Sequence, residues 1–175
     1  YFSSISPRYD LLNHLLSFHV DSLWRRRLVR LAAPRPESRV LDVCTGTGDI
    51  LFRMFRREPC CRMTGIDLTE PMLEVARRKK MRRFPDADMH FVRGGATALA
   101  LPGDRFDIAT MAFGLRNLPD PVAGLREIRR VLRPSGRALI IEFAPSPVGP
   151  FGALYGWYLR HMVPRIGRLL TASGA

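Results

Sequence analysis

The stretch RVLDVCTGTGDI, residues 39–50, decides the fold class of this chain. Apolar residues of strand character lead into Asp42, and a turn of small residues with Gly46 and Gly48 follows before Asp49. A glycine turn between a strand and a helix lets the backbone approach a nucleotide-like ligand closely. The stretch therefore predicts the first strand, turn and helix of a nucleotide-binding α/β domain.

Outward from this turn, strand-like and helical segments alternate with short connections. The predicted strands are RVLDVC (39–44), RMTGIDL (62–68), MHFVRG (89–94), RFDIATMAFG (105–114) and RALIIEFA (137–144). A helical region spans 8–33, and further helices are predicted at DILFRMFRRE (49–58), TEPMLEVARRKKMRR (69–83) and DPVAGLREIRRVL (120–132). This alternation predicts a doubly wound, mostly parallel sheet with helices on both faces and ligands at the carboxyl ends of its strands.

Two local features of the helices are also predicted. Thr69 is suited to cap the helix that follows it, and Pro71 suits its first turn. The apolar face of the last helix is expected to consist of Val122, Leu125, Ile128 and Leu132.

A second acid, Asp67, ends the second predicted strand, nineteen positions after Gly48. Its carboxylate is placed to accept hydrogen bonds from the two ribose hydroxyls of an adenosine. The dinucleotide fingerprint fails, because Leu51 stands where a third small residue is needed. Asp42 and Asp49 would repel a pyrophosphate and suit a ligand that is cationic there, such as S-adenosylmethionine with its sulfonium and amino group. The charge pattern favours this methyl donor over NAD, while a purely structural turn and another nucleotide ligand remain alternatives.

Composition restricts the class of protein. The 175 residues are 46% hydrophobic and 25% charged, which is typical of one ordinary globular domain. The three cysteines form neither a disulfide framework nor a metal-ligand spacing, so no metal site and a reducing compartment are expected. No apolar run has the length of a membrane span and no signal peptide precedes the first strand, so the predicted location is cytoplasmic.

The net charge of +12 suggests an anionic partner: nucleic acid, an anionic membrane surface or an acidic substrate. The arginines are spread along the chain rather than gathered in one tail, which is typical of solvated helix faces. No recognisable DNA or RNA motif accompanies the charge, so no nucleic-acid partner is expected.

Four separated motifs resemble one known family. They are YDLLNHLLSFHVDSLWR (9–25), the donor loop LDVCTGTGD (41–49), AFGLRNLPD (112–120) and RRVLRPSGRALIIEFAPS (129–146). Together they resemble the UbiE/MenG family of ubiquinone/menaquinone biosynthesis C-methyltransferases, over residues 9–171. A generic methyltransferase would share only the donor loop.

The resemblance implies a Rossmann-like class I methyltransferase fold, whose final reversed strand pair would lie beyond Ala175. It implies one domain with three parts: an N-terminal helical substrate-side segment (1–35), a SAM-binding core (36–146), and an aromatic, basic segment over the acceptor site (147–175). The implied reaction is methylation of a ring carbon of demethylmenaquinol, of 2-polyprenyl-6-methoxy-1,4-benzoquinol, or of both, with S-adenosylmethionine.

The resemblance also assigns residues to the donor. The expected cofactor-binding residues are Asp42, Thr45, Gly46, Thr47, Gly48, Asp67, Leu68, Gly95, Ala96 and Ala112. Gly95 departs from the family, which often has Asp or Asn beside the adenine, and Ala112 stands where Ser is common. Each lost hydrogen bond is expected to weaken donor binding by about 0.5–1.5 kcal/mol.

The expected catalytic residues are Arg116, Asn117, Asp10 and His14. Carbon methylation of a hydroquinol needs a phenolate, which Arg116 would stabilise, while a water held by Arg116 or Asn117 would relay the proton. Asp10 and His14 are one helical turn apart and could face the same pocket, and His has a suitable pKa for proton transfer.

The last segment bears on the apolar tail of the substrate. Phe151, Tyr155, Tyr158 and Met162 fall on one helical face beside several arginines. This pattern suits a polyprenyl channel or peripheral contact with anionic lipid on the inner face of the cytoplasmic membrane, although the stripe could simply pack on the sheet. A homodimer is left open.

Competing functions are another S-adenosylmethionine-dependent small-molecule methyltransferase, a nicotinamide-dependent oxidoreductase on the same fold, and a nucleic-acid binder. The sequence does not choose between naphthoquinol and benzoquinol, and it does not fix the tail length or the general base.

Overall fold

The computed structural model describes residues 20–142, which form one parallel sheet with helices on both faces. The helices are α1 (Val20–Ala32), α2 (Asp49–Arg57), α3 (Glu70–Arg83) and α4 (Pro121–Val131), and a short 3-10 helix spans Leu115–Asn117. The strands are β1 (Arg39–Val43), β2 (Arg62–Asp67), β3 (Met89–Arg93), β4 (Phe106–Ala112) and β5 (Leu132–Ile141).

The five strands lie in the order β3-β2-β1-β4-β5, and every neighbouring pair is parallel. At the centre, Asp42 of β1 lies opposite Gly65 of β2 and Thr110 of β4. The carboxyl ends of these strands therefore meet at one edge of the sheet. The predicted doubly wound parallel architecture is confirmed.

Successive residues of the central strands face opposite layers of the core. Val40 packs with the apolar residues of α1, α2 and α3, whereas the next residue, Leu41, packs with those of α4. In β4 the same alternation separates Ile108 from Ala109. Helices on both sides explain why these strands are apolar throughout rather than at every second position.

The glycine turn between β1 and α2 requires its glycines. Gly46 and Gly48 have φ angles of 56° and 84°, in the left-handed region that favours glycine. A Cβ at Gly48 would also lie 2.9 Å from the Phe52 ring and 3.0 Å from the Phe91 ring. The turn is therefore held tightly against the apolar residues behind it.

The predicted apolar face of α4 is wrong at Val122 and Leu125, whereas Ile128 and Leu132 are buried as predicted. Val122 is 55% exposed and Leu125 is 39% exposed, while the helix buries Gly124, Ile128 and Val131. The reason is a close approach at Gly124, where an added Cβ would lie 2.5 Å from Leu118 Cδ1. The small residue sets the packing face, and the larger apolar residues beside it turn outward.

Two boundaries also differ from the sequence predictions. β5 begins at Leu132 rather than 137, because Leu132 pairs with Phe106 before a register shift brings Arg137 opposite Ile108. Thr69 occupies the N-cap position of α3, but its side chain makes no capping hydrogen bond.

Of the three predicted parts of the domain, the core is described almost completely. The segment 147–175 lies outside the described residues, and only α1 and the loop after it represent the segment 1–35. Among residues 20–142, no helix combines the length and the apolarity needed to cross a bilayer.

Candidate functional site

A cavity of about 520 Å³ opens where β1 to β4 end. Its volume is in the range of small-molecule sites, and its position is where parallel α/β sheets bind ligands. Nine of the ten predicted cofactor residues line it: Asp42, Thr45, Gly46, Thr47, Asp67, Leu68, Gly95, Ala96 and Ala112. Gly48 is not among the lining residues, because it faces Phe52 and Phe91 and supports the turn from behind.

Asp67, at the end of β2, is fixed against the glycine turn by backbone hydrogen bonds. The Gly46 N–H donates to Oδ2 at 2.8 Å, and the Thr69 N–H donates to Oδ1 at 2.9 Å. An ionised carboxylate has about four lone-pair positions, so each oxygen can accept a second hydrogen bond. Asp67 therefore has the capacity to accept two ribose hydroxyls.

Asp42 lies deep in the wall of the same cavity and is 1% exposed. The Thr45 hydroxyl donates to one of its oxygens at 2.7 Å, and the Thr110 hydroxyl donates to the other at 2.6 Å. Burial raises the pKa of Asp42 from 3.8 to about 6, against the opposing effect of these hydrogen bonds. At neutral pH the group is mostly ionised, so a cation in the cavity would be attracted to it.

Asp49, the first residue of α2, contacts two cationic side chains. Its Oδ2 accepts a hydrogen bond from Arg25 Nη1 at 2.7 Å, and its Oδ1 accepts one from Lys79 Nζ at 3.2 Å. Two cations therefore flank one carboxylate at this side of the turn. These contacts offset the negative charge of Asp49, so the expected repulsion between Asp49 and a ligand anion is reduced.

The wall formed by the loop after β3 is open. A Cβ added at Gly95 meets no atom within 4 Å. The backbone of Gly95 and Ala96 and the 67% exposed Leu68 line this part of the cavity. There is consequently room at Gly95 for a longer side chain.

The opposite side of the cavity carries Arg116 and Asn117, on the 3-10 helix that follows β4. Arg116 Nη1 donates to Glu142 Oε1 at 2.5 Å, and the Arg116 backbone N–H donates to Glu142 Oε2 at 3.0 Å. The guanidinium carbon lies 5.9 Å from the centre of the Phe113 ring. Glu142 thus fixes the position of Arg116 and offsets part of its charge.

Cys44 and Phe113 follow the adjacent strands β1 and β4 and line the cavity between its two sides. Both have left-handed backbone conformations, with φ angles of 57° and 60°. Burial, together with the charges of Asp67 and Asp42, raises the pKa of the Cys44 thiol to about 12. Cys44 therefore stays protonated at neutral pH and does not supply a thiolate nucleophile.

The predicted catalytic residues Asp10 and His14 lie outside the described residues, so their positions are not part of this site description. Sequence reasoning missed Arg25, Lys79 and Glu142. Arg25 and Lys79 are 24 and 30 positions from Asp49 in the chain, and Glu142 is 26 positions from Arg116. No local pattern indicates such pairs, because the fold alone brings them together.

Comparison with known proteins gives consistent results. The sequence profile of the ubiE/COQ5 methyltransferase family matches residues 1–174. A Thermus thermophilus protein named demethylmenaquinone methyltransferase is 44% identical over 172 residues, which are 98% of this chain and 77% of that protein. A Ruegeria protein named ubiquinone/menaquinone biosynthesis C-methyltransferase UbiE is 37% identical over 98% of this chain and 69% of its own length.

A solved structure of an S-adenosylmethionine dependent methyltransferase from Mesorhizobium loti is also similar. It superposes with a TM-score of 0.57 and 28% sequence identity, and the match covers 67% of this chain and 52% of that one. This chain therefore spans about half the length of the solved one.

The parallel sheet and the cavity at its carboxyl edge define a class I methyltransferase fold. With a profile match over nearly its whole length, the chain belongs to the ubiE/COQ5 methyltransferase family. The family resemblance, the fold and the enzyme class predicted from the sequence are confirmed.

Proposed function

We propose that this protein is an S-adenosylmethionine-dependent methyltransferase that methylates a ring carbon of a polyprenyl quinol. Demethylmenaquinol and 2-polyprenyl-6-methoxy-1,4-benzoquinol are the candidate substrates. The observation that carries the proposal is that Asp67, the glycine turn, Arg116 and Asn117 line the same cavity, in a chain of this family.

The donor side of the cavity fits S-adenosylmethionine. Asp67 can accept two ribose hydroxyls, Asp42 supplies a negative charge, and the space beside Gly95 suits an adenine ring. S-adenosylmethionine, when bound there, supplies an electrophilic methyl group. A dinucleotide fits less well, because Leu51, in the place of the third small residue, is fully buried in the core.

The acceptor side has groups that stabilise a phenolate. A guanidinium group has five N–H donors, and Glu142 orients one edge of the Arg116 guanidinium. A fixed guanidinium beside a ring oxygen favours the ionised quinol and so raises electron density at the ring carbon. Arg116 is a poor base, so proton removal is assigned to water held by Arg116 or Asn117, with Asp10 and His14 as further candidates.

The substrate tail is assigned to the segment 147–175 on the sequence alone. Its aromatic stripe and neighbouring arginines suit a polyprenyl chain at an anionic bilayer surface, and we include peripheral membrane contact in the proposal. Association into a homodimer is not part of it.

The test uses the full-length protein with methyl-labelled S-adenosylmethionine and each of the two demethylated quinols in turn. The proposal predicts label on a ring carbon of at least one quinol, and loss of that label in Arg116→Ala. Saturable donor binding without labelling of either quinol would contradict the assigned substrate. Label found on a quinol oxygen would contradict carbon methylation.

A further inference from the structure

One wall of the cavity belongs to the loop between β3 and β4, residues 94–105, which contains neither helix nor strand. The first four residues of this loop line the cavity. Backbone hydrogen bonds fix its two ends. The Gly94 N–H donates to the Asp67 carbonyl at 2.9 Å, and the Arg105 N–H donates to the Val131 carbonyl at 2.8 Å. The part between these ends depends on other contacts for its position.

Two side chains of α4, Glu127 and Arg130, hold the middle of the loop, and we call this pair the loop clamp. The Leu99 backbone N–H donates to Glu127 Oε2 at 2.7 Å. Arg130 Nη2 donates to the Leu99 carbonyl at 2.9 Å, and Arg130 Nη1 donates to the Leu101 carbonyl at 2.8 Å. The two side chains also contact each other at two points, Nε to Oε1 and Nη2 to Oε2, each at 2.7 Å.

The loop clamp acts through its geometry more than through its charge. Its side chains are 40% exposed at Arg130 and 19% exposed at Glu127, so solvent screens the ion pair and the charges alone contribute little. Four of the five guanidinium N–H groups nevertheless have an acceptor in these contacts. A planar guanidinium bound at two points by a carboxylate has a well-defined orientation, and the loop carbonyls are fixed with it.

The clamped part of the loop is connected to the cavity through the apolar core. Ala96, which lines the cavity, is 7% exposed, and Leu99, three positions later, is 5% exposed. Both residues pack in the cluster that contains Ile128 and Val131. A change in the backbone position at Leu99 is therefore transmitted to the cavity wall over one short stretch of chain.

We propose that Glu127 and Arg130 are positioning residues that hold the cavity wall at Gly95 and Ala96 in the conformation that receives the adenine of the methyl donor. The inference rests on the proposed function and deepens it, since neither residue of the loop clamp lines the cavity. Without the clamp, part of the binding free energy is spent on ordering the loop. Donor affinity then falls, while the groups on the acceptor side stay in place.

The test compares full-length Arg130→Ala and Glu127→Ala with the parent protein. In calorimetric titration, each variant should bind S-adenosylhomocysteine about threefold to tenfold more weakly, because the loop is no longer ordered in advance. In the methylation assay, KM for S-adenosylmethionine should rise by a similar factor. The values of kcat and of KM for the quinol should stay within about twofold of the parent values, because the interaction lost is uniform binding of the donor.

Conservative and control variants separate position from charge. Glu127→Gln keeps an oxygen that can accept the Leu99 N–H, so it should recover part of the affinity lost in Glu127→Ala. The matched control is Arg129→Ala on the same helix. Arg129 is exposed, and its side chain makes no hydrogen bond or ion pair within the part of the chain that the structure describes. This control removes the same charge as Arg130→Ala and should bind S-adenosylhomocysteine as the parent does.

Amide hydrogen exchange supplies a measurement that is specific to the loop. The Leu101 N–H donates to the Leu99 carbonyl at 2.8 Å, and the Leu99 N–H donates to Glu127. Without ligand, both amides should exchange at least about tenfold faster in Arg130→Ala than in the parent, whereas the amides of β1 and β4 should exchange as in the parent. Saturation with S-adenosylhomocysteine should restore slow exchange in the loop.

Four results would overturn the inference. They are parental affinity for S-adenosylhomocysteine in a folded Arg130→Ala, equal rises in KM for donor and quinol, parental exchange of the loop amides, and exchange that rises as much in the sheet as in the loop. Failure of the parent protein to bind S-adenosylhomocysteine at all is a different outcome, and it would overturn the proposed function on which the inference rests.

Discussion

Replacement of Asp42 by asparagine tests the electrostatics of the cavity, because this carboxylate is buried and ionisable. Burial raises its pKa from 3.8 to about 6, so the folded protein retains a proton at pH values where the unfolded chain has lost it. The group therefore stabilises the fold fully below about pH 4, and this stabilisation is lost as the pH rises through about 6. Asp42→Asn removes the titration.

The magnitude follows from the size of the shift. A pKa difference of about two units corresponds to about 3 kcal/mol between the two protonation states. The free energy of unfolding of the parent protein therefore falls by about 2 kcal/mol between about pH 4.5 and about pH 7.5. The amide of the variant offers one oxygen in place of two, so one hydroxyl of Thr45 or Thr110 loses its acceptor, at about 1 kcal/mol.

The variant should therefore be about 2 kcal/mol more stable than the parent at about pH 7.5, and about equally stable at about pH 4.5. Urea denaturation of both proteins at the two pH values, without ligand, measures this difference. Asp86→Asn, at an exposed carboxylate, controls for the substitution itself. A stability difference between variant and parent that is the same at both pH values would refute the argument.

The remaining predictions concern the two sides of the cavity. Asp67→Asn should weaken S-adenosylmethionine binding by at least about tenfold in calorimetry, because the ribose hydroxyls lose a charged acceptor. Gly95→Asp should strengthen that binding by roughly threefold to tenfold, since the added side chain meets no atom and can hydrogen-bond the adenine. Arg116→Ala should lower kcat for quinol methylation without changing donor affinity, and Glu142→Gln should lower it less, because the guanidinium keeps its charge but loses its fixed position.

Each of these variants has an outcome that contradicts its role. A folded Asp67→Asn with parental donor affinity would remove Asp67 from ribose recognition. Unchanged or weaker binding by Gly95→Asp would show that the space beside the residue is not the adenine site. Parental turnover by Arg116→Ala would exclude that residue from phenolate stabilisation. Thermal melting of each variant distinguishes these outcomes from unfolding.

The sequence predicted the sheet well, because its signals are local. Glycine, proline and acidic residues separate the strands from the helices, and short apolar runs identify the buried strands. A parallel sheet binds ligands at the carboxyl ends of its strands. The sequence alone therefore predicts that Asp67 and the glycine turn lie beside the cavity. The acidic residue and the turn meet because β1 and β2 are neighbours in the sheet.

The sequence failed where packing or distant contacts decide. The buried face of α4 was predicted only in part, since periodicity follows large apolar residues and Gly124 makes the close contact instead of Val122 and Leu125. Asp49 was expected to repel an anionic ligand, but Arg25 and Lys79 reach it from other helices, and no local pattern indicates these contacts. Glu142 was not considered as the partner of Arg116, although both residues fall within motifs of the family.

The central claim is that the cavity at the ends of β1 and β2 binds a cationic methyl donor rather than a dinucleotide. Equilibrium titration with S-adenosylmethionine, repeated in the presence of excess NAD, tests it most directly. The account predicts saturable binding of S-adenosylmethionine at one site, with an affinity that NAD leaves unchanged. Tight binding of NAD, with none of S-adenosylmethionine, would contradict it.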